Sequence, residues 1–147
     1  MEDISVEIFN SELVLEIEPT FSIPFSEIER AYKKIFSKYA LKDINIVFVK
    51  SEYIQELNRQ YRGIDAPTDV LSFEMESKVS GEIYICPEYI YLTFQETLFE
   101  EEILRLIIHG TLHILGYDHL ESMNDSVDEQ MFKIQEELLL KFKQLCF

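Results

Sequence analysis

Apolar positions along this chain switch between a period of two and a period near 3.6, and the switches divide it into elements. Residues 4–9, with Ile4, Val6 and Ile8 alternating with Ser5 and Glu7, predict a strand. Residues 13–17 extend it or pair with it. Ser26 with Glu29 forms a capping box that opens a helix reaching Tyr39, with Ile28, Ala31, Tyr32, Ile35, Phe36 and Tyr39 on its apolar stripe. Residues 44–49 are rich in β-branched side chains and predict a strand. Residues 52–61 predict a short helix with Ile54, Leu57 and Tyr61 inward.

Two strands follow, 69–74 and 82–86, joined as a hairpin with Gly81 opening the second. Pro87 suits the first turn of a helix over 88–97. Residues 100–115 are apolar on most sides of a helix, which marks a buried one. Residues 125–145 predict an amphipathic helix with Val127, Met131, Ile134, Leu138, Phe142 and Leu145 on one face. This order predicts an α+β fold in a single domain over 1–147. A small mixed sheet of about four strands packs with about five helices, and a central helix carries two histidines.

Composition narrows the class. A chain of 147 residues that is 47% hydrophobic and 13% aromatic can build an ordinary core. Met1-Glu2-Asp3-Ile4 lacks the basic and apolar regions of a signal peptide, and no run approaches the ~18 apolar residues that span a membrane. Cys86 and Cys146 form no CxxC motif and read as reduced thiols of a cytoplasmic protein. Net charge is −15, which argues against nucleic acid. The distribution qualifies that: residues 30–62 hold eight of the thirteen basic residues. Arg30, Lys33, Lys34 and Lys38 lie off the apolar stripe of their helix as a basic ridge. Such asymmetry either confines an anionic substrate to one face or is simply a solvated helix surface.

The three histidines of the chain all fall in His109-Gly110-Thr111-Leu112-His113-Ile114-Leu115-Gly116-Tyr117-Asp118-His119. Glu100, Glu101 and Glu102 open their helix, where the dipole favours acids. His109 and His113 are four apart and share a face. A helix running on to His119 would carry it about 15 Å from His109 at ~1.5 Å rise per residue. Zinc–nitrogen bonds are only ~2.0–2.1 Å, so the chain must turn. Gly116 is a natural stop. The spacing is the ligand pattern of the long zincin signature, but Gly110 stands where that signature has its glutamate base. The ligand set without the base indicates metal-dependent hydrolysis of something other than peptide.

A second constellation precedes it. Tyr61-Arg62-Gly63 ends a helix, and Pro67-Thr68-Asp69-Val70-Leu71-Ser72-Phe73 turns into a strand. Arg62 either forks onto a phosphate or serves structure, capping the helix or pairing with Asp65 or Asp69. These motifs, with Gly81-Glu82-Ile83 and the Gly116-Tyr117-Asp118-His119 end of the histidine stretch, resemble the bacterial YbeY family over residues 44–120. Glu74 stands where the family often has proline, and Gly81-Glu82 where it commonly has Gly-Asp.

The resemblance implies a cytoplasmic, zinc-binding, single-strand-specific endoribonuclease acting in 16S rRNA 3′-end maturation and ribosome quality control. Its metal ligands map to His109, His113 and His119, with one zinc ion per chain, and its cleft arginine maps to Arg62. Arg62 and His109 are the candidate catalytic residues. Arg62, Arg59 and Lys34 are the candidate substrate-binding cations. The expected partners are ribosomal RNA and the small ribosomal subunit with its associated factors, with no membrane and no DNA. The missing glutamate leaves the proton acceptor open: metal hydroxide alone, an attacking ribose hydroxyl, or assistance from Asp118 or Glu82, with Asp118 otherwise a turn residue or one that hydrogen-bonds a ligand histidine. Tyr61, Phe73 and Tyr84 could stack on unpaired bases, or pack a core. The rival class is a non-catalytic, zinc-containing ribosome assembly factor. A metalloprotease is disfavoured by Gly110.

Overall fold

The computed structural model describes residues 4–75, 80–94, 98–117 and 125–147. Its elements are β1 (Ser5–Phe9), α1 (Glu12–Ile17), α2 (Phe25–Ile35), β2 (Asp43–Phe48), α3 (Ser51–Arg62), β3 (Val70–Met75), β4 (Ser80–Ile85), α4 (Pro87–Thr93), α5 (Phe99–Ile114) and α6 (Asp125–Cys146). The strands form one sheet in the order β1-β2-β4-β3. β1, β2 and β4 run parallel, and β3 returns antiparallel on β4 as the hairpin. The fold is therefore α+β with a mixed four-stranded sheet.

Alternation decides which face of that sheet is dry. Val6, Ile44, Ile46, Phe48, Ile83 and Ile85 are buried in one main cluster with the inner faces of α2, α5 and α6. On the opposite face Leu71 lies beside Tyr84 in register and joins Val49, Ile54 and Cys86 in a second, smaller cluster. α5 is the central helix. It packs on β3 and β4 and is flanked by α4 and α6, which explains why it is apolar nearly all round. Position 110 is where it comes closest to the sheet: a Cβ there would stand 2.6 Å from Ile83 Cγ2.

Several boundaries differ from the pattern. Residues 13–17 form helix α1, not a strand, which raises the helices to six among the described residues. Asn10, at φ 61°, turns the chain away from β1. The helical arrangement then buries Val14 completely and leaves Leu15 on the surface, so an apolar run of this length is read by its neighbours and not by its period. The capping box does not form. Pro24 is the N-cap of α2, and no side chain caps it. The regular helix stops at Ile35, although Tyr39 still packs against Phe36 with ring centroids 5.5 Å apart. β4 opens at Ser80, one residue before Gly81.

Tyr61 is 65% exposed, not inward. Asn58, one turn after Ile54, takes the inward position and donates from Nδ2 to Ala66 O at 2.9 Å. α4 ends at Thr93, and residues 95–97 lie outside the described set. On α6, Met131, Leu138 and Phe142 are buried as expected, joined by Leu139, while Leu145 is exposed and the side chain of Val127 lies outside the description.

Candidate metal centre and its cleft

α5 delivers His109 and His113 one turn apart with their rings facing each other. The two Nε2 atoms are 2.8 Å apart and the ring centroids 4.4 Å. Behind them, Tyr32 OH lies 2.9 Å from Thr111 Oγ1, and Thr111 gives its own proton to Ile107 O at 2.8 Å. Tyr32 therefore donates, and the bond ties α2 to the turn of α5 between the histidines. Burial pushes the Tyr32 hydroxyl far above its ordinary value, so it stays a neutral donor.

The helix stops where the sequence places its stop. Gly116 has φ 96°. Its N–H reaches His113 O at 3.0 Å, and Tyr117 N–H reaches Leu112 O at 3.0 Å. This pair of bonds is the Schellman ending, which needs a left-handed residue at that position. His119 and Asp118, the third expected ligand and its neighbour, lie outside the described residues.

His109 and His113 open onto a cleft of ≈ 510 Å³ whose other wall comes from Arg62, Thr68, Asp69 and the start of β3 through Ser72. Arg62 is the last residue of α3, before Gly63 at φ 71°. Neither structural alternative for it is seen. Asp65 accepts from Gln55 Nε2 at 3.0 Å, and Asp69 accepts from Val70 N at 2.7 Å. The carbonyls of Arg59 and Asn58 are met by the backbone of Gly63 and Ile64. Arg62 is exposed and lines the same space as the imidazoles.

The other candidate cations lie elsewhere. Arg59 is held by both carboxylate oxygens of Glu56 on its own helix, at 3.1 Å for the Nε contact, and does not line the cleft. Lys34 is exposed on the outer face of α2 with Arg30 and Lys33, and Lys38 is exposed in the turn that follows. Glu82 cannot serve the cleft as proton acceptor. It pairs in register with Phe73, on the sheet face opposite the histidines, and accepts from Tyr84 OH at 2.9 Å. Burial and that carboxylate push the Tyr84 hydroxyl up to about 12. On the same face Tyr61, Phe73 and Tyr84 stand in edge contact, with centroids 5.0 and 5.8 Å apart. Phe73 and Tyr84 pack against the smaller core cluster.

Gln135 is the residue the pattern reading missed. It is buried on α6, and its Oε1 lies 2.8 Å from His109 Nδ1. The available signal was a polar residue four after Met131 and three before Leu138, on a stripe that is otherwise apolar.

A family model described as Endoribonuclease YbeY matches residues 15–143. The chain belongs to the YbeY family. The Endoribonuclease YbeY of Treponema denticola is 37% identical over 142 residues, covering 87% of this chain and 90% of that one. That of Aliarcobacter butzleri is 39% identical over 137 residues, covering 88% and 91%. That of Thermotoga neapolitana is 44% identical over 93 residues, 62% of this chain, and the match spans only 61% of that relative's length. The solution structure of TM1509 from Thermotoga maritima superposes with a TM-score of 0.62 at 33% identity, covering 93% of this chain and 88% of that one. The two departures from the YbeY pattern, Glu74 and Glu82, are both absent from the cleft lining.

Chemically, two imidazoles with converging nitrogens suit a borderline divalent ion, as oxygen-only sites do not. His109 has the backing that metal-binding imidazoles usually have, an acceptor on the other ring nitrogen. No helix among the described residues is long and apolar enough to cross a membrane.

Proposed function

We propose that this chain is a zinc-dependent, single-strand-specific endoribonuclease acting in 16S rRNA 3′-end maturation and ribosome quality control. The observation that carries the reading is the meeting of His109 and His113 with Arg62 across one cleft. His109, His113 and His119 would hold one zinc ion per chain, in a cytoplasmic, single-domain hydrolase that meets ribosomal RNA on the small subunit.

Bound zinc supplies Lewis-acid polarisation and an acidified water. Arg62 supplies the complementary part. Its planar fork takes two phosphate oxygens at once and stabilises the charge that grows on them as the phosphodiester is attacked. Thr68 and Ser72 border the same space. Peptide hydrolysis is not supported by this geometry. The zincin base would stand at position 110, and that position faces Ile83 in the sheet, not the cleft. With Arg59 paired and Lys34 on another surface, Arg62 is the one cation among the described residues that lines the cleft. Substrate affinity therefore draws on the ribosomal partners as well.

The test is cleavage of a labelled single-stranded RNA by zinc-loaded protein, beside folded His113→Ala and Arg62→Ala. Cleavage that both substitutions abolish is the expected result. Equal cleavage by all three marks a contaminating nuclease. No cleavage by any, on naked RNA or with small subunits added, overturns the enzyme reading in favour of a non-catalytic assembly factor.

A further inference from the structure

Beyond the histidines, the structure holds a chain of hydrogen bonds whose polarity is set at Glu136, which accepts from both sides. Arg105 lies on α5, one turn before His109. Its Nε and Nη2 donate to the two carboxylate oxygens of Glu136 on α6, at 2.9 and 3.1 Å. Arg105 is itself fixed by Glu102, which is buried, and by Glu101 at 3.4 Å. Glu136 Oε2 also takes a bond from Gln135 Nε2 at 3.3 Å. Gln135 Oε1 then faces His109 Nδ1 at 2.8 Å.

Each link dictates the next. A carboxylate only accepts, so the Gln135 atom facing Glu136 is its NH2. The other end of that amide is then an acceptor, and the His109 atom facing it carries the proton. A flipped Gln135 would set its oxygen against the Glu136 carboxylate, acceptor against acceptor. With the proton on Nδ1, the lone pair of neutral His109 lies on Nε2, on the side that faces His113.

We propose that Gln135, held by the Glu136–Arg105 pair, is a positioning residue that fixes the ring tautomer and orientation of His109, so that its Nε2 is presented to a metal ion. This rests on the metal-centre reading above, and it reaches residues that no ligand motif contains. Gln135 touches no substrate; it acts through His109.

The experiment has two readouts on wild type, Gln135→Leu, Gln135→Glu and Glu136→Gln. The first needs no metal: long-range proton–nitrogen correlation of the histidine rings in metal-free protein at pH 8. His109 is expected as the Nδ1–H form in wild type and Gln135→Glu, and as a mixture or the Nε2–H form in Gln135→Leu. The second is zinc affinity by competition with a chromophoric chelator. Gln135→Leu is expected to bind about 10–100-fold more weakly, Gln135→Glu close to wild type, and Glu136→Gln with a smaller loss. If Gln135→Leu does not fold, Glu136→Gln carries the test with the same expected direction. A wild-type His109 in the Nε2–H form overturns the inference, as does a folded Gln135→Leu that keeps both tautomer and affinity. If wild type takes no zinc, yet Gln135→Leu still shifts the His109 tautomer, the metal centre is overturned and the positioning of the ring by Gln135 stands.

Discussion

The histidine wall of the cleft stands on ten buried residues of α5, while the facing wall is the exposed end of α3 and the loop after it. On the first wall two polar side chains are tied to other helices: Thr111 to Tyr32 on α2, His109 to Gln135 on α6. On the second, Arg62 leads into a glycine turn and is bounded by two aspartates that bond elsewhere. The difference teaches a division of labour. Ligand geometry tolerates errors of only tenths of an ångström, so it is built into the core. Phosphate recognition by a long cation tolerates adjustment, so it can sit on a mobile side chain at a surface.

The largest expected effect separates the walls outright. His113→Ala should abolish zinc binding and RNA cleavage together. Arg62→Ala should lower cleavage about 10²–10³-fold with zinc affinity unchanged, measured by chelator competition. Loss of zinc in Arg62→Ala would join the two walls and end the comparison.

Next comes the seam under the first wall. Gly110→Val should cost about 2–3 kcal/mol by overpacking against Ile83, read as a Tm lower by several degrees. Ile83→Ala in the same chain should restore part of that; an unchanged Tm would mean the helix is free to lift from the sheet. Tyr32→Phe should cost about 1 kcal/mol, because Thr111 keeps its bond to Ile107 O. The smallest effect tests the second wall: Arg59→Ala and Lys34→Ala should leave zinc affinity and cleavage of naked RNA at wild-type levels. A drop as large as that of Arg62→Ala would extend the cleft over α3 and α2.

Much of this arrangement was legible in the pattern, for identifiable reasons. α5 is long and apolar nearly all round, α6 is long and periodic, and the glycine at 116 announces a turn whatever packs around it. The hairpin pair was visible because its strands are short and bounded by polar residues. What failed depended on neighbours. Glu12–Ile17 is too short for its period to decide between strand and helix, and Asn10 settles it by turning the chain. Glu82 was legible as a carboxylate near the motifs, but its face follows from the register of β3 on β4, which a single strand does not reveal. Arg59 and Arg62 look equivalent three residues apart, until Glu56 claims one of them. Gln135 was legible only as a polar residue on an apolar stripe, because its bond to His109 exists only when α6 lies beside α5.

The contact at position 110 also bears on how freely such a chain can change its trade. In the sequence, the step from this histidine pattern to that of a peptide-cleaving zincin is one residue, glycine to glutamate. In three dimensions the step is longer, because the new carboxylate would drive into Ile83, and the sheet would have to be rebuilt before any proton could be moved. A lineage carrying this seam is buffered against drifting toward proteolysis by single substitutions, and a designer seeking that activity would have to begin at strand β4, not at the metal.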